Sequence, residues 1–396
     1  MEQLQTNTFV NDVAKTFFNS YANQFGGPGS QYVQFQVIDD SARRVNVIFN
    51  SFVGRILYMV GGILCGSKKM QLKLYDSQLY RSCWNVLAPW MTKEVWFCES
   101  ILPAFLRARV RLHGVVPMLY AFEYQVLDTN SSKKCAVLWE HLDGFTMCDS
   151  STLLDYQHLS MMARKIGQFH AFTFCVRARH PNFTCMSEPY YIAYRPSEPV
   201  VEILKRCLQP LIQAAANSSD TKYIEAVGRL QTLVADFGPP LMKPCIRDGG
   251  NACRVVCHKH YTQLNVAFKH ESGVGQLTDM RIINWQWVGF ASLGVDLVLL
   301  LVADGHQPRQ HLQLLLNDYR TALSSSISVT NVTAPTYEQI LNEVKICMPV
   351  ALHIMGKRVL SSTTVYPSGE RPYPPYLWND QRITDTYKFM IEFDLI

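Results

Sequence analysis

The chain has 396 residues, 48% of them hydrophobic and 17% charged, with a formal charge of +5. This length predicts one large two-part unit or two domains, and the composition supports a sizeable buried core. The basic residues form no block, which argues against a nucleic-acid-binding stripe, and the apolar runs from Phe52 to Leu64 and from Leu297 to Ala303 fall short of the roughly 20 residues a membrane span needs.

The first residues, Met1-Glu2-Gln3-Leu4-Gln5, are polar and lack the form of a signal peptide. Twelve cysteines occur without a C-x-x-C pair, which predicts reduced, buried thiols and a cytoplasmic location.

Residues 7–24 have helical spacing through Phe9, Val13, Phe17 and Phe18, and Gly26-Gly27-Pro28-Gly29-Ser30 ends that helical extension. Strand patterns follow at Tyr32, Val33, Phe35 and Val37, at Val45, Val47 and Phe49, and at Met70 to Tyr75. The stretch Asn50-Ser51-Phe52-Val53-Gly54-Arg55 reads as a loop. Residues 90–106 return to helical spacing ahead of and across Pro103, and Ala136 to Trp139 reads as a buried strand. Thr152-x-x-Asp155 is a capping-box pattern opening a helix through Leu159, Met162, Ala163, Ile166, Phe169 and Phe174. Two helices flank Asn217 to Asp220. Strands are expected at Arg254 to Cys257 and Met280 to Ile283, and helices at 294–303, 309–325 and 336–350. Four prolines between Tyr366 and Tyr376 exclude a regular helix there.

This order predicts an α+β, two-lobed fold: a strand-rich lobe over residues 1–140 and a mostly helical lobe over 141–396. A cleft between the lobes is the expected ligand site.

Several motifs occur in a fixed order: Leu72-Lys73-Leu74; Lys93-Glu94-Val95-Trp96; Val137-Leu138-Trp139-Glu140; Ile166-Gly167-Gln168-Phe169-His170-Ala171; His258-Lys259-His260 with Asn265; Ile282-Ile283-Asn284-Trp285-Gln286; and Gly294-Val295-Asp296-Leu297. Together they resemble the ecdysteroid-kinase-like family of insects, within the choline-kinase and aminoglycoside-phosphotransferase superfamily. The resemblance implies a protein-kinase-like fold, ATP and magnesium as cofactors, and phosphorylation of a small lipophilic alcohol. It makes Lys73 the phosphate-holding lysine, Glu94 its helix partner and Glu140 the hinge residue. Asn265 and Asn284 take the metal-ligand positions. His258, Lys259 and Asp296 frame the loop.

The departures fall on the chemistry. His260 stands where the family has its catalytic aspartate, Lys259 where it has glycine, and Asn284 where it has the magnesium-binding aspartate. A general base supplies roughly 10²- to 10⁴-fold in rate, and magnesium favours carboxylate oxygens. The expectation is an impaired kinase fold acting through a small lipophilic ligand or a protein partner. Lys259 and Lys73 are candidates for holding an anion without metal. A working phosphotransferase using His260 and Asn284, or an unrelated binding protein, are the alternatives. A zinc site at Cys253, Cys257, His258 and His260 conflicts with spacing: the two cysteines lie about 13 Å apart on an extended strand. His170 is expected to be a buried structural histidine.

Overall fold

The structure, a computed structural model, describes residues 11–12, 14–16, 18–19, 30–39, 50–60, 62–67, 69–76, 84–110, 112–127, 132–149, 151–186, 188–189, 196–238, 253–271, 273, 275–304, 308–327, 332–363 and 378–396. It divides into two compact units, one of residues 1–102 and 116–143, the other of 103–115 and 144–396. The first is rich in strands and the second mostly helical, an α+β chain.

In the first unit, strands β1 (Gln31–Asp39), β2 (Asn50–Val60), β3 (Ile63–Gly66), β4 (Met70–Asp76), β5 (Leu119–Leu127) and β6 (Ser132–Glu140) form a sheet in the order β1-β2-β4-β6-β5, with β3 paired to β2. Side chains alternate between the faces of a strand. Leu72 and Leu74 of β4 therefore join Ala136 and Leu138 of β6 in a core that also holds Ile56, Met70, Ala14 and Phe18. The rings of Tyr32 and Tyr58 pack on Phe18 at 5.8 and 5.6 Å. Lys73 and Tyr75 take the opposite face by the same alternation, in register with Val137 and Cys135. Helix α1 (Trp84–Trp96) carries Glu94 and passes into a π turn, Phe97–Ile101, and then α2 (Leu102–Arg107), whose residues from Pro103 on belong to the second unit. Pro103 directly follows that wider turn within a helical run unbroken from Trp84, and its missing N–H withdraws one intrahelical donor there.

In the second unit, β7 (Phe145–Met147) leads to α3 (Tyr156–Arg177), which packs along α7 (Pro308–Ile327). The backbones approach closely at Gly167: a Cβ there would lie 2.5 Å from the Tyr319 carbonyl oxygen. Asp318 fastens the pair, accepting from Tyr156 at 3.0 Å, Ser160 at 2.7 Å and Arg164 at 3.0 Å. Helices α4 (Glu198–Ala216) and α5 (Thr221–Ala235) follow, the second capped by Asp220. Two small antiparallel sheets then carry the loops of interest. Strand β8 (Arg254–Cys257) pairs with β11 (Gly289–Ser292), and β9 (Val266–His270) lies between β10 (Leu277–Ile282) and β7. Helix α6 (Gly294–Val298) and a π turn, Leu299–Asp304, precede α7; α8 (Tyr337–Thr363) and α9 (Asp380–Glu392) close the described chain.

Several sequence expectations need correction. The residues from Asn50 to Arg55 form no loop: they lie in β2, with Gly54 paired to Met70 and Val37. The cap of α3 is Asp155, which accepts from the His158 amide, not Thr152; Thr152 instead donates its hydroxyl to Asp149. Helix α8 continues past Pro349 to Thr363. Strands β5, β7, β9 and β11 and helix α9 carried no expectation. Val45, Val47 and Phe49, the loop from Gly26 to Gly29 and the proline-rich tail lie outside the described residues. Among the described residues no helix is long and apolar enough to cross a membrane.

Candidate functional site

Each unit holds one group of the residues singled out from the sequence. In the first, Lys73 on β4 lies with its Nζ 3.1 Å from Glu94 Oε1 on α1, and both side chains are buried. Two further donors hold that carboxylate. Trp139 Nε1 donates to Oε1 at 3.3 Å, and the Tyr75 hydroxyl donates to Oε2. Burial, with the Glu94 charge beside it, pushes the Tyr75 phenol well above its ordinary range, so it stays a donor. Tyr75 and Trp139 had no assigned part in this pair; the two-residue step from Lys73 to Tyr75 was the available signal. Glu140 ends β6, and its Oε2 accepts from the Met118 amide at 3.0 Å.

The second group is built on the loops after β8 and β10. Asp296, fully buried on α6, accepts from the backbone amides of His258 at 2.7 Å and Lys259 at 2.8 Å. Its Oδ2 also lies 3.1 Å from His170 Nε2 on α3. His170 Nδ1 meets the Tyr319 hydroxyl at 2.9 Å. These bonds fix the loop backbone, in which Lys259 adopts φ 61°. A side chain is strained there and glycine is not. Burial lowers the Lys259 ammonium to about 8, yet it remains charged at neutral pH. Its Nζ pairs with Glu188 at 3.1 Å, and the second Glu188 oxygen accepts from the Phe290 amide at 3.0 Å. Lys259 is thus spoken for by a carboxylate that no sequence spacing marked.

The orientation of the remaining polar groups can be worked out from one fixed point. Asn265 Nδ2 lies 2.7 Å from the His260 carbonyl oxygen, which can only accept. That nitrogen is therefore the amide donor, and its second hydrogen reaches His260 Nδ1 at 2.9 Å. His260 Nδ1 accepts, so the ring proton sits on Nε2. Asn265 Oδ1 in turn accepts from Asn284 Nδ2 at 3.0 Å. Burial foremost, then the positive charge of Arg358, His258 and Lys357, lowers the His260 imidazole to about 3. It is a neutral donor at physiological pH. His258 donates through Nε2 to the Ile283 carbonyl at 2.8 Å. Trp287 packs on His260 with ring centroids 5.2 Å apart. Adjacency to Asn284-Trp285-Gln286 was the sequence signal for it.

This donor set does not fit magnesium. Asn265 spends its one side-chain oxygen on Asn284, the Asn284 amide is turned to donate, and neither residue brings an anionic oxygen. The zinc reading of Cys253, Cys257, His258 and His260 finds no such cluster among the described residues. The group of metal-ligand types that does converge is His170, Cys257 and Asp296, all buried and already hydrogen-bonded.

The chain is thus an α+β protein that holds a strand lysine on a helix glutamate and anchors a loop on a buried aspartate. Residues 81–332, well over half of the chain, match the ecdysteroid kinase-like family, to which the chain belongs. It is similar to Plasmodium vivax ethanolamine kinase at 11% identity, covering 97% of this chain and 90% of that one, with a TM-score of 0.39. Choline kinase from Cryptosporidium parvum is similar at 12% identity over 92% of each chain, TM-score 0.38. An amicoumacin kinase in complex with AMP-PNP and Ca²⁺ is similar at 13% identity over 91% of this chain and 88% of that one, TM-score 0.39. No curated protein matches the sequence.

Proposed function

We propose that this chain acts by binding, as a pseudokinase of its family, with a small lipophilic molecule as ligand in the cytoplasm. The observation that carries the reading is the hydrogen-bonded series Asn284–Asn265–His260. A general base needs a free lone pair facing the acceptor hydroxyl. His260 has one nitrogen engaged by Asn265 and the other protonated. Phosphoryl transfer also needs charge neutralised around the transferred group, which the family does with metal ions on carboxylates. Two neutral amides do not supply that anchor.

The test is turnover. Purified protein with ATP, magnesium and hydroxylated steroids or similar alcohols is expected to give no phosphorylated product. Product at ordinary kinase rates, about 1 s⁻¹ or faster, overturns the proposal and establishes the alternative, an active transferase with an atypical site. The retained Lys73–Glu94 pair is the feature that favours that alternative. Restoring His260→Asp and Asn284→Asp together is expected to recover weak turnover, and either change alone little.

A further inference from the structure

In the second unit, two cations draw on one carboxylate. Asp279 on β10 gives one oxygen to Lys165 Nζ at 2.9 Å and the other to Arg281 Nη1. Lys165 and that Nη1 also share the Gly114 carbonyl, and Nη1 lies 3.1 Å from the Met280 carbonyl. One end of the guanidinium is therefore crowded with acceptors. The opposite edge, Nε with Nη2, has none among the described residues, although the Arg281 side chain is only 9% exposed and its Nε is buried. A buried donor without an acceptor calls for a bound ion or water. This edge is one that grips an oxyanion through two parallel N–H···O bonds.

Strand pairing decides what stands beside it. Lys269 of β9 lies opposite both Asp279 and Phe145, and Arg281 lies opposite Ala267, two residues from Lys269. Paired residues share a face of a sheet, as do residues two apart. Lys269, Arg281 and Phe145 thus emerge on one face of the three-stranded sheet. Both cations reach the same ring: Arg281 Cζ lies 5.2 Å and Lys269 Nζ 5.7 Å from the Phe145 centroid. Lys269 is exposed and forms no ion pair among the described residues. Asp279 therefore offsets one of three positive charges, and a field with that excess attracts an anion.

We propose that the second unit binds a small phosphate monoester on this sheet face, its oxygens on the Arg281 Nε–Nη2 edge with the Lys269 ammonium turned onto them, without a divalent metal. A phosphate monoester carries about −1.5 to −2 at neutral pH, which matches the unbalanced charge better than the single charge of a carboxylate. The site goes beyond the binding role argued above and does not depend on it. Neither Arg281 nor Lys269 belongs to the Asn284–Asn265–His260 series, and an active transferase would hold the phosphate as well.

The experiment is a titration in excess chelator at fixed ionic strength, read by calorimetry and by the arginine Nε–H resonances in nitrogen-15 spectra. The probes are phenyl phosphate and benzoate. The variants are Lys269→Gln, Arg281→Lys and, as a control, Lys222→Gln on the exposed side of α5. Phenyl phosphate is expected to saturate one site, at least tenfold tighter than benzoate, and to move the Arg281 Nε–H signal, which Arg281→Lys assigns by removing it. Lys269→Gln should weaken binding at least fivefold, and Lys222→Gln should leave it within twofold. Arg281→Lys keeps the charge but not the two-donor edge, and should weaken binding at least tenfold. Should that variant misfold, the comparison of Lys269→Gln with Lys222→Gln decides. The proposal is overturned if phenyl phosphate does not saturate, if benzoate binds equally well, if the Arg281 signal stays in place, if Lys222→Gln does what Lys269→Gln does, or if binding requires magnesium. Failure here leaves the pseudokinase reading standing, and ATP turnover overturns that reading without touching this site.

Discussion

Asp296→Asn tests the anchor on which the whole loop hangs. The carboxylate receives three donors: the His258 amide at 2.7 Å, the Lys259 amide at 2.8 Å and His170 Nε2 at 3.1 Å, all in a fully buried pocket. Asparagine keeps the shape but has one oxygen. Placed at the Oδ2 position, that oxygen keeps His258 and His170 and turns an NH₂ against the Lys259 N–H. One buried donor then goes unmet at about 1–3 kcal/mol, and the two surviving bonds lose their charge assistance, for a total of about 3 kcal/mol. In a unit of this size that is a fall of roughly 6–12 °C in Tm. Urea unfolding followed by circular dichroism, with thermal melts alongside, measures it. Asp236→Asn on the exposed end of α5 is the control, expected to stay within about 0.5 kcal/mol. Hydrogen exchange should also quicken at the His258 and Lys259 amides. A variant melting within about 1 °C of wild type would show that the loop does not depend on this carboxylate.

Three further outcomes are expected. Burial lowers both His260 and His353 from 6.5 to about 3, so between those values the unfolded chain takes up protons that the folded chain refuses. Stability is therefore complete above pH 6.5 and falls on acidification, by about 2 kcal/mol at pH 5 for His353 and less for the part-exposed His260; urea midpoints at pH 7.5 and 5.0 measure it, and equal midpoints contradict it. Gly167→Ala should destabilise by about 1–3 kcal/mol, because the added methyl meets the Tyr319 carbonyl of α7 and neither helix can retreat cheaply; a neutral result in chemical unfolding would mean the helices are less closely seated. ATP, if it shifts the melting curve, should do so equally with magnesium or chelator and not in Lys73→Ala, since saturation at 100 times Kd adds about 2.7 kcal/mol to wild type alone; a shift seen only with magnesium refutes this.

The α+β class and the family were legible because their signals are local. Lys73, Glu94 and the Phe169-His170-Ala171 helix can each be read from a few neighbouring residues. The capping of α3 was misjudged because Thr152 and Asp155 both suit a helix start, and only tertiary packing decides which amide is left to cap. Helix α8 was cut short at Pro349, where local propensity argues for a break. A buried helix tolerates one missing hydrogen bond when its flanks are packed, as Met348 and Val350 are. Glu188 was invisible for a different reason: its link to Lys259 spans 71 positions, and nothing near either residue announces the other. The direction of the Asn284–Asn265–His260 series was likewise beyond reach. It follows from a contact to one carbonyl oxygen, and sequence does not show which way an amide is turned.

That direction makes the site a ratchet. Asn284→Asp alone would set a carboxylate oxygen against Asn265 Oδ1, which now lies 3.0 Å from the Asn284 nitrogen, and two acceptors would confront each other. Asn265 could relieve this by flipping its amide, but the flip would turn its oxygen toward the His260 carbonyl, which today receives its shortest bond at 2.7 Å. His260→Asp meets no such obstacle, because an aspartate accepts from Asn265 as the imidazole does. Single substitutions are therefore not interchangeable in order. A carboxylate is accommodated at residue 260 and obstructed at residue 284 until a cation is present to sit between the oxygens.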